Sequence, residues 1–278
     1  MIHIFTTVVN RPDFVEIQDK LFKKFLKDDY VFHVVDDSLD EDISKEFSTI
    51  CTDNNINYYR KSQNKNKKFD SPIAGARHAT ETIQWTYDNI IKKDCKEDIV
   101  LFCDSDMFLF DDFSAQDYMK DEIIAGALQV RGHVNYIWNG LMLFDMKKIT
   151  EIDSNLNFSD GVVDGCSTDI GGHLYYWFKK YNVNFKNINQ NETNSDNWMP
   201  VYPSEYNGVS LVFQNNDDMW VKPEDGFGFE LHLQEKFFHY RAGTNWHTQS
   251  TWKTKFDPIK RKAEIFNTII NDLLEDNV

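Results

Sequence analysis

The chain has 278 residues, 41% hydrophobic and 15% aromatic, which is ample for a substantial core and argues against wholesale disorder. Its 30 basic and 45 acidic residues leave a formal net charge of −15. A surface that acidic repels phosphate backbones and anionic leaflets, so nucleic acid and lipid are poor default partners, although a local basic patch stays compatible with the total. Cys51, Cys95, Cys103 and Cys166 show neither C-x-x-C pairing nor zinc-like spacing, which points to a reducing compartment. No run approaches the ~18 apolar residues of a membrane span, and the start lacks a basic n-region. The expectation is a cytoplasmic protein, in a host cytoplasm if the gene is viral, with the sequons at Asn157 and Asn191 unused.

Residues 2–9 form a β-rich run closed by Asn10-Arg11-Pro12. A helix should follow, because Pro12 suits a first turn and Phe14, Ile17, Leu21, Phe22 and Phe25 recur at helical spacing. A second strand, residues 31–35, ends in Asp36-Asp37-Ser38, and a third is expected at 56–59. Residues 61–70 read as a loop, closed by Ser71-Pro72, with a helix predicted over 72–93. The run 99–103 is almost wholly apolar, as a central strand covered on both faces should be. This alternation predicts an α/β fold with a mostly parallel, Rossmann-like sheet flanked by helices.

Further strands are expected at 123–130 and 141–144, and a helix at about 167–181. Residues 182–229 read as a long loop rich in Asn, Asp, Gly and Pro, with Trp198, Tyr202, Tyr206 and Trp220 scattered through it. A final helix is signalled by Asp257 as N-cap, Pro258 at the first position, and Ile259, Ala263, Phe266, Ile270 and Leu273 on one face. The division that results is a main domain over 1–246, in two halves at 1–110 and 111–246. Residues 247–278 form a C-terminal helical extension.

Ligands of parallel sheets bind beyond the carboxyl ends of the strands, where both Asp36-Asp37 and Asp104-Ser105-Asp106 fall. Two carboxylates at D-x-D spacing suit a hard cation such as Mn²⁺ or Mg²⁺, which in turn binds a diphosphate. The plain alternative is a solvated strand-end turn.

The motifs resemble family 2 glycosyltransferases in order and spacing over about residues 1–110. Thr6-Thr7-Val8-Val9-Asn10-Arg11-Pro12 is similar to the family's first strand and N-R-P turn, and Val34-Val35-Asp36-Asp37-Ser38 to its V-V-D-D-G-S without the glycine. Gly75-Ala76-Arg77-His78 resembles G-x-A-R-N with histidine in place of asparagine, and Leu101-Phe102-Cys103-Asp104-Ser105-Asp106 resembles L-D-x-D. Asn139-Gly140-Leu141-Met142-Leu143-Phe144 is similar to an acceptor-side motif of several GT-A families.

The resemblance implies a GT-A fold, with 1–110 as the nucleotide-binding half and 111–246 as the acceptor-binding half, and transfer of a sugar from a nucleotide-diphosphate sugar to a hydroxyl acceptor. Thr6, Arg11, Asp36 or Asp37, Arg77, Asp104, Ser105 and Arg241 would face the donor, and Asp104 and Asp106 the metal. Arg77 could equally be a surface ion pair, and Asp37 a turn aspartate bonded to its own backbone. His239, in Phe237-Phe238-His239-Tyr240-Arg241-Ala242-Gly243, is the third metal ligand if it is not a satisfied core residue. Trp138, Asn139 and Gly140 would offer an acceptor surface, with core packing as the rival role for the tryptophan. Asp169 matches the family's acidic base for inverting transfer, with Asp164 and Asp160 as lesser choices and helix capping as the alternative. Competing readings are a haloacid-dehalogenase-type phosphatase using Asp104 and Asp106, and a GT-A-like nucleotide-binding protein without turnover.

Overall fold

The structure, a computed structural model, describes residues 1–61, 72–188, 230–232, 236–240 and 256–275. Strand β1 (Ile2–Val8) reaches helix α1 (Pro12–Phe25) through Arg11, whose left-handed backbone (φ 60°) turns the chain before Pro12 sets the first helical φ. Strand β2 (Tyr30–Asp36) is followed by α2 (Glu41–Asp53), which is not among the elements expected above. Its signals are local: the Asp40 side chain accepts from the amides of Asp42 and Ile43, and Ser44, Phe47 and Cys51 bury one face. After β3 (Asn57–Arg60), α3 (Pro72–Thr86) runs through a π-helical stretch, Tyr87–Ile91, into α4 (Lys92–Asp94).

The chain then forms β4 (Ile99–Asp104), β5 (Met107–Leu109), α5 (Ala115–Met119), β6 (Ile124–Arg131), β7 (Val134–Asp145) and α6 (Met146–Ile152). A hairpin of β8 (Gly161–Val163) and β9 (Cys166–Thr168) precedes α7 (Leu174–Tyr181) and β10 (Lys186–Asn187). The described remainder is β11 (Glu230–His232), β12 (Phe237–His239) and α8 (Phe256–Leu274).

The central sheet has seven strands in the order β10-β6-β7-β4-β1-β2-β3. Only β7 runs against its neighbours, so the sheet is mostly parallel, as its apolar strands predict. Strand alternation sends Ile4, Val34 and Leu101 to one face, where Val15, Phe22 and Phe47 from α1 and α2 cover them. Phe5, Val35 and Phe102 go to the other, under Ile83 and Tyr87 from the helical run after β3, with Leu174 and Trp177 from α7. Helices therefore cover both faces, and the carboxyl ends of β1, β2 and β4 are left as the edge where polar residues gather. Among the described residues no helix is long and apolar enough to cross a membrane.

Several boundaries differ from expectation. The strand expected at 141–144 is the end of the 12-residue β7, so Trp138, Asn139 and Gly140 lie within a strand. The helix expected from residue 167 begins only at Leu174, because Cys166–Thr168 pairs as β9 and Gly171 takes φ +90°, outside helical space. The start of the long loop supplies the edge strand β10; residues 189–229, with Trp198, Tyr202, Tyr206 and Trp220, lie outside the described residues. Helix α8 includes Phe256 and Asp257, so Asp257 lies inside the helix rather than capping it.

Candidate active site

β4 ends at Asp104, and Ser105 and Asp106 turn the chain into β5. That three-residue strand is too short to stand alone. β12 completes it, arriving from 130 residues later in an antiparallel pairing that sets His239 opposite Met107. The Tyr240 amide donates to the Asp106 carbonyl at 2.8 Å, which locks this register. His239 Nε2 consequently stands 3.5 Å from Asp106 Oδ1, both side chains being 7% exposed.

An aromatic platform holds the two strands from below. Phe14 of α1 meets Phe108 at 5.2 Å and Tyr240 at 5.8 Å, and Phe266 of α8 meets Phe108 at 5.0 Å and Tyr240 at 4.7 Å. The terminal helix thus packs against the strands that carry the site. The sequence gives no sign of this, because no local pattern reports which aromatic stripe a helix will meet.

β7 supplies the third wall. Its register against β6 slips between Gly126 and Ala127, which pair with Met142 and Trp138, so residues 139–141 bulge from that ladder. Leu141 pairs with Cys103 of β4, which brings Gly140 to the level of Asp104. A Cβ on Gly140 would lie 1.9 Å from the Trp138 indole, so the ring is folded over bare backbone. Its face meets the His239 ring at 5.5 Å, tilted by 41°. Gly140→Ala should therefore destabilise by about 1–3 kcal/mol, the usual range for overpacking. In denaturant titrations the double variant with Trp138→Ala should lose no more than Trp138→Ala alone; simple additivity would show that the indole is not the obstacle.

Asn139, 1% exposed, has neither amide atom hydrogen-bonded among the described residues. Its Oδ1 abuts Gly171, where a Cβ would come within 2.6 Å. Asp169 lies in the same turn and is exposed; its amide donates to the Tyr136 hydroxyl of β7 at 3.0 Å, and its carboxylate accepts from Ile170 at 2.8 Å. A dedicated helix-capping role for Asp169 fails, since α7 starts five residues later.

Electrostatics tie these groups together. The Asp104 carboxyl is raised to about 7, first by burial, then by the adjacent Asp106 charge, with a further push from Asp169 and a counteracting pull from His239. Its ordinary value is 3.8, so the folded chain holds the proton more tightly than the unfolded one. This contribution to stability is present at low pH and is lost as pH rises from about 4 to about 7. With metal chelated at pH 8, Asp104→Asn should be more stable than wild type by on the order of 2–4 kcal/mol, read as a higher unfolding midpoint; near pH 4.5 the two should converge. Equal differences at both pH values would contradict this.

Two expected donor residues turn out to be internal. Asp36 is fully buried: one oxygen accepts from the Ser38 amide at 2.7 Å, and the other from Tyr58 at 2.7 Å and from Ser44. Both oxygens thus have partners within the protein. Asp37 is 2% exposed in its side chain and pairs with His78 Nδ1 at 2.5 Å, Lys61 Nζ at 3.6 Å and the Thr82 hydroxyl. His78 is thereby bonded to the second aspartate of the Asp36-Asp37 pair. Arg11 is held by Asp13 through two hydrogen bonds, 2.9 and 2.6 Å, and lies over the Phe14 ring at 3.7 Å. Thr6 Oγ1 is buried without a hydrogen-bond partner among the described residues, and Ser105 is 5% exposed. Arg77 lies on α3 with its side chain outside the described residues, as is Arg241 entirely.

The expected metal ligands have suitable chemistry, two carboxylates and an imidazole, and Asp106 adjoins His239. Among the described residues no three such side chains converge to coordinating distance as placed. Asp104 feels Asp106, His239 and Asp169 electrostatically from its place at the strand end.

No known family and no curated protein matches this sequence. Among solved structures the chain is similar to the galactosyltransferase LgtC in complex with donor and acceptor sugar analogs, at 15% identity and a TM-score of 0.39, over 66% of this chain. It spans 65% of that protein's length. Mouse xyloside xylosyltransferase 1 is similar at 9% identity and a TM-score of 0.40, over 68% of this chain and 85% of its own. The bifunctional glycosyltransferase WbbM follows at 10% and 0.35, over 54% and 32%. At that level the likeness is one of general shape.

Proposed function

We propose that the chain is a metal-dependent glycosyltransferase of GT-A type, moving a sugar from a nucleotide-diphosphate sugar to a hydroxyl acceptor. One observation carries the reading. The β5–β12 pairing and the β7 bulge bring Asp104, Asp106, His239 and Trp138 to the carboxyl edge of the sheet. Asp104, Asp106 and His239 would hold Mn²⁺ or Mg²⁺, which supplies counter-charge for a departing diphosphate.

The chain's own residues do the rest. Trp138 offers an aromatic face to a sugar ring, and the amide of Asn139, unsatisfied among the described residues, suits a sugar hydroxyl, because a buried amide without partners costs free energy until something bonds it. Asp169, exposed near Asp104, accepts the proton of the attacking hydroxyl, as inversion at the anomeric carbon requires. Asp37, His78 and Lys61 shape the far end of the edge, where the nucleotide would lie. The test is a panel of nucleotide sugars incubated with Mn²⁺ and simple hydroxyl acceptors, read as released nucleotide and as the anomeric configuration of the product. Metal-dependent release from one sugar class supports the reading. No release from any donor, beside hydrolysis of a generic phosphomonoester, would favour the phosphatase chemistry instead.

A further inference from the structure

Gln18 is fully buried on α1, on the side that carries Phe14, Val15, Leu21 and Phe22. An amide there is costly unless its hydrogen bonds are made. Its Nε2 donates to the Asp104 carbonyl at 3.0 Å and to the Met107 carbonyl at 2.8 Å. These carbonyls are the two ends of the acidic turn, so one amide group spans it from beneath. Both acceptors are carbonyl oxygens, which requires nitrogen rather than oxygen on that side of the amide. Oε1 points elsewhere and has no hydrogen-bond partner among the described residues.

We infer that Gln18 is a positioning residue: it fixes the backbone of the Asp104–Met107 turn, and with it the separation of the two carboxylates that the proposed cation needs. The inference rests on the proposed function for its consequence and on geometry alone for its cause. Leucine or methionine would fill the space yet leave two backbone acceptors without a donor. Ionised glutamate would set a carboxylate against both carbonyls.

Gln18→Met and Gln18→Glu test this by hydrogen exchange of metal-free protein and by Mn²⁺ titration followed by electron paramagnetic resonance. Faster exchange is expected in peptides covering residues 103–108, with the protection of β1, β2 and α2 unchanged. Mn²⁺ affinity should fall roughly 10–100-fold, the usual cost of removing a group that orients a ligand. Wild-type exchange in that turn together with wild-type Mn²⁺ affinity would overturn the inference. So would loss of protection across the whole fold in both variants, since Gln18 would then serve the core and not the turn. If wild-type protein binds no Mn²⁺, the proposed function fails, and the exchange result alone decides the role of Gln18.

Discussion

Asp106→Ala is expected to abolish metal-dependent nucleotide binding and transfer while the protein stays folded. The side chain is buried beside Asp104 and His239, where two carboxylates repel each other unless a cation intervenes. Removing one leaves too little negative charge to hold a divalent ion against water, and affinity should drop roughly 100-fold or more, since the cation's charge stabilisation is worth several kcal/mol. The fold should tolerate the change, because the variant also relieves the repulsion that raises Asp104. His239→Ala should weaken binding less, for an imidazole brings a lone pair and no charge. Calorimetric titration with Mn²⁺ and a nucleoside diphosphate reads both variants. Equal losses would show that His239 does more than ligate, and wild-type affinity in Asp106→Ala would remove the acidic turn from the site.

Asp169→Asn should separate binding from chemistry. The amide keeps the size of the side chain and its bond from the Ile170 amide, so the turn after β9 should persist. What it loses is proton affinity. A hydroxyl attacks an anomeric carbon poorly unless a base takes its proton, and the loss in kcat should be ~10²–10⁴-fold with little change in donor affinity. The exposed position fits this role, because the base must meet an acceptor arriving from solvent. Near wild-type turnover in this variant would sink the assignment, and retention of configuration in the product would remove the need for any such base.

Much of the first half was legible because its information is local. A strand as apolar as residues 99–103 can lie only in the middle of a covered sheet, and a D-x-D directly after it must fall at the ligand-binding edge. The helix over 72–93 was readable for the same reason, and α2 could have been found from its Asp40 cap and the stripe of Phe47 and Cys51. The second half was harder. β5, β8, β9 and β12 have three residues each, and their pairing depends on partners far away in the chain. His239 could be named as a ligand from its residue type and neighbours, but only the β5–β12 register puts it beside Asp106. Ser167, Thr168 and Asp169 look like a helix start; the Gly171 backbone overrides that signal. Gln18 was missed because a polar residue near an apolar stripe shows no purpose until the carbonyls it bonds are in view. Asp36 and Asp37 show the opposite case: their motif is visible in the sequence, and the protein groups they bond are not.

The central claim is that the acidic edge binds a nucleoside diphosphate through a divalent cation. Thermal unfolding of the intact chain with UDP or GDP, each with Mn²⁺ and with EDTA, tests it most directly. At ~100 times the dissociation constant a ligand specific for the folded state adds roughly 2.7 kcal/mol, a readily measured rise in midpoint. That rise is expected for at least one nucleotide with Mn²⁺ and for none with EDTA, where the carboxylates would repel the diphosphate. Equal midpoints in the two conditions, with or without a shift, would contradict it.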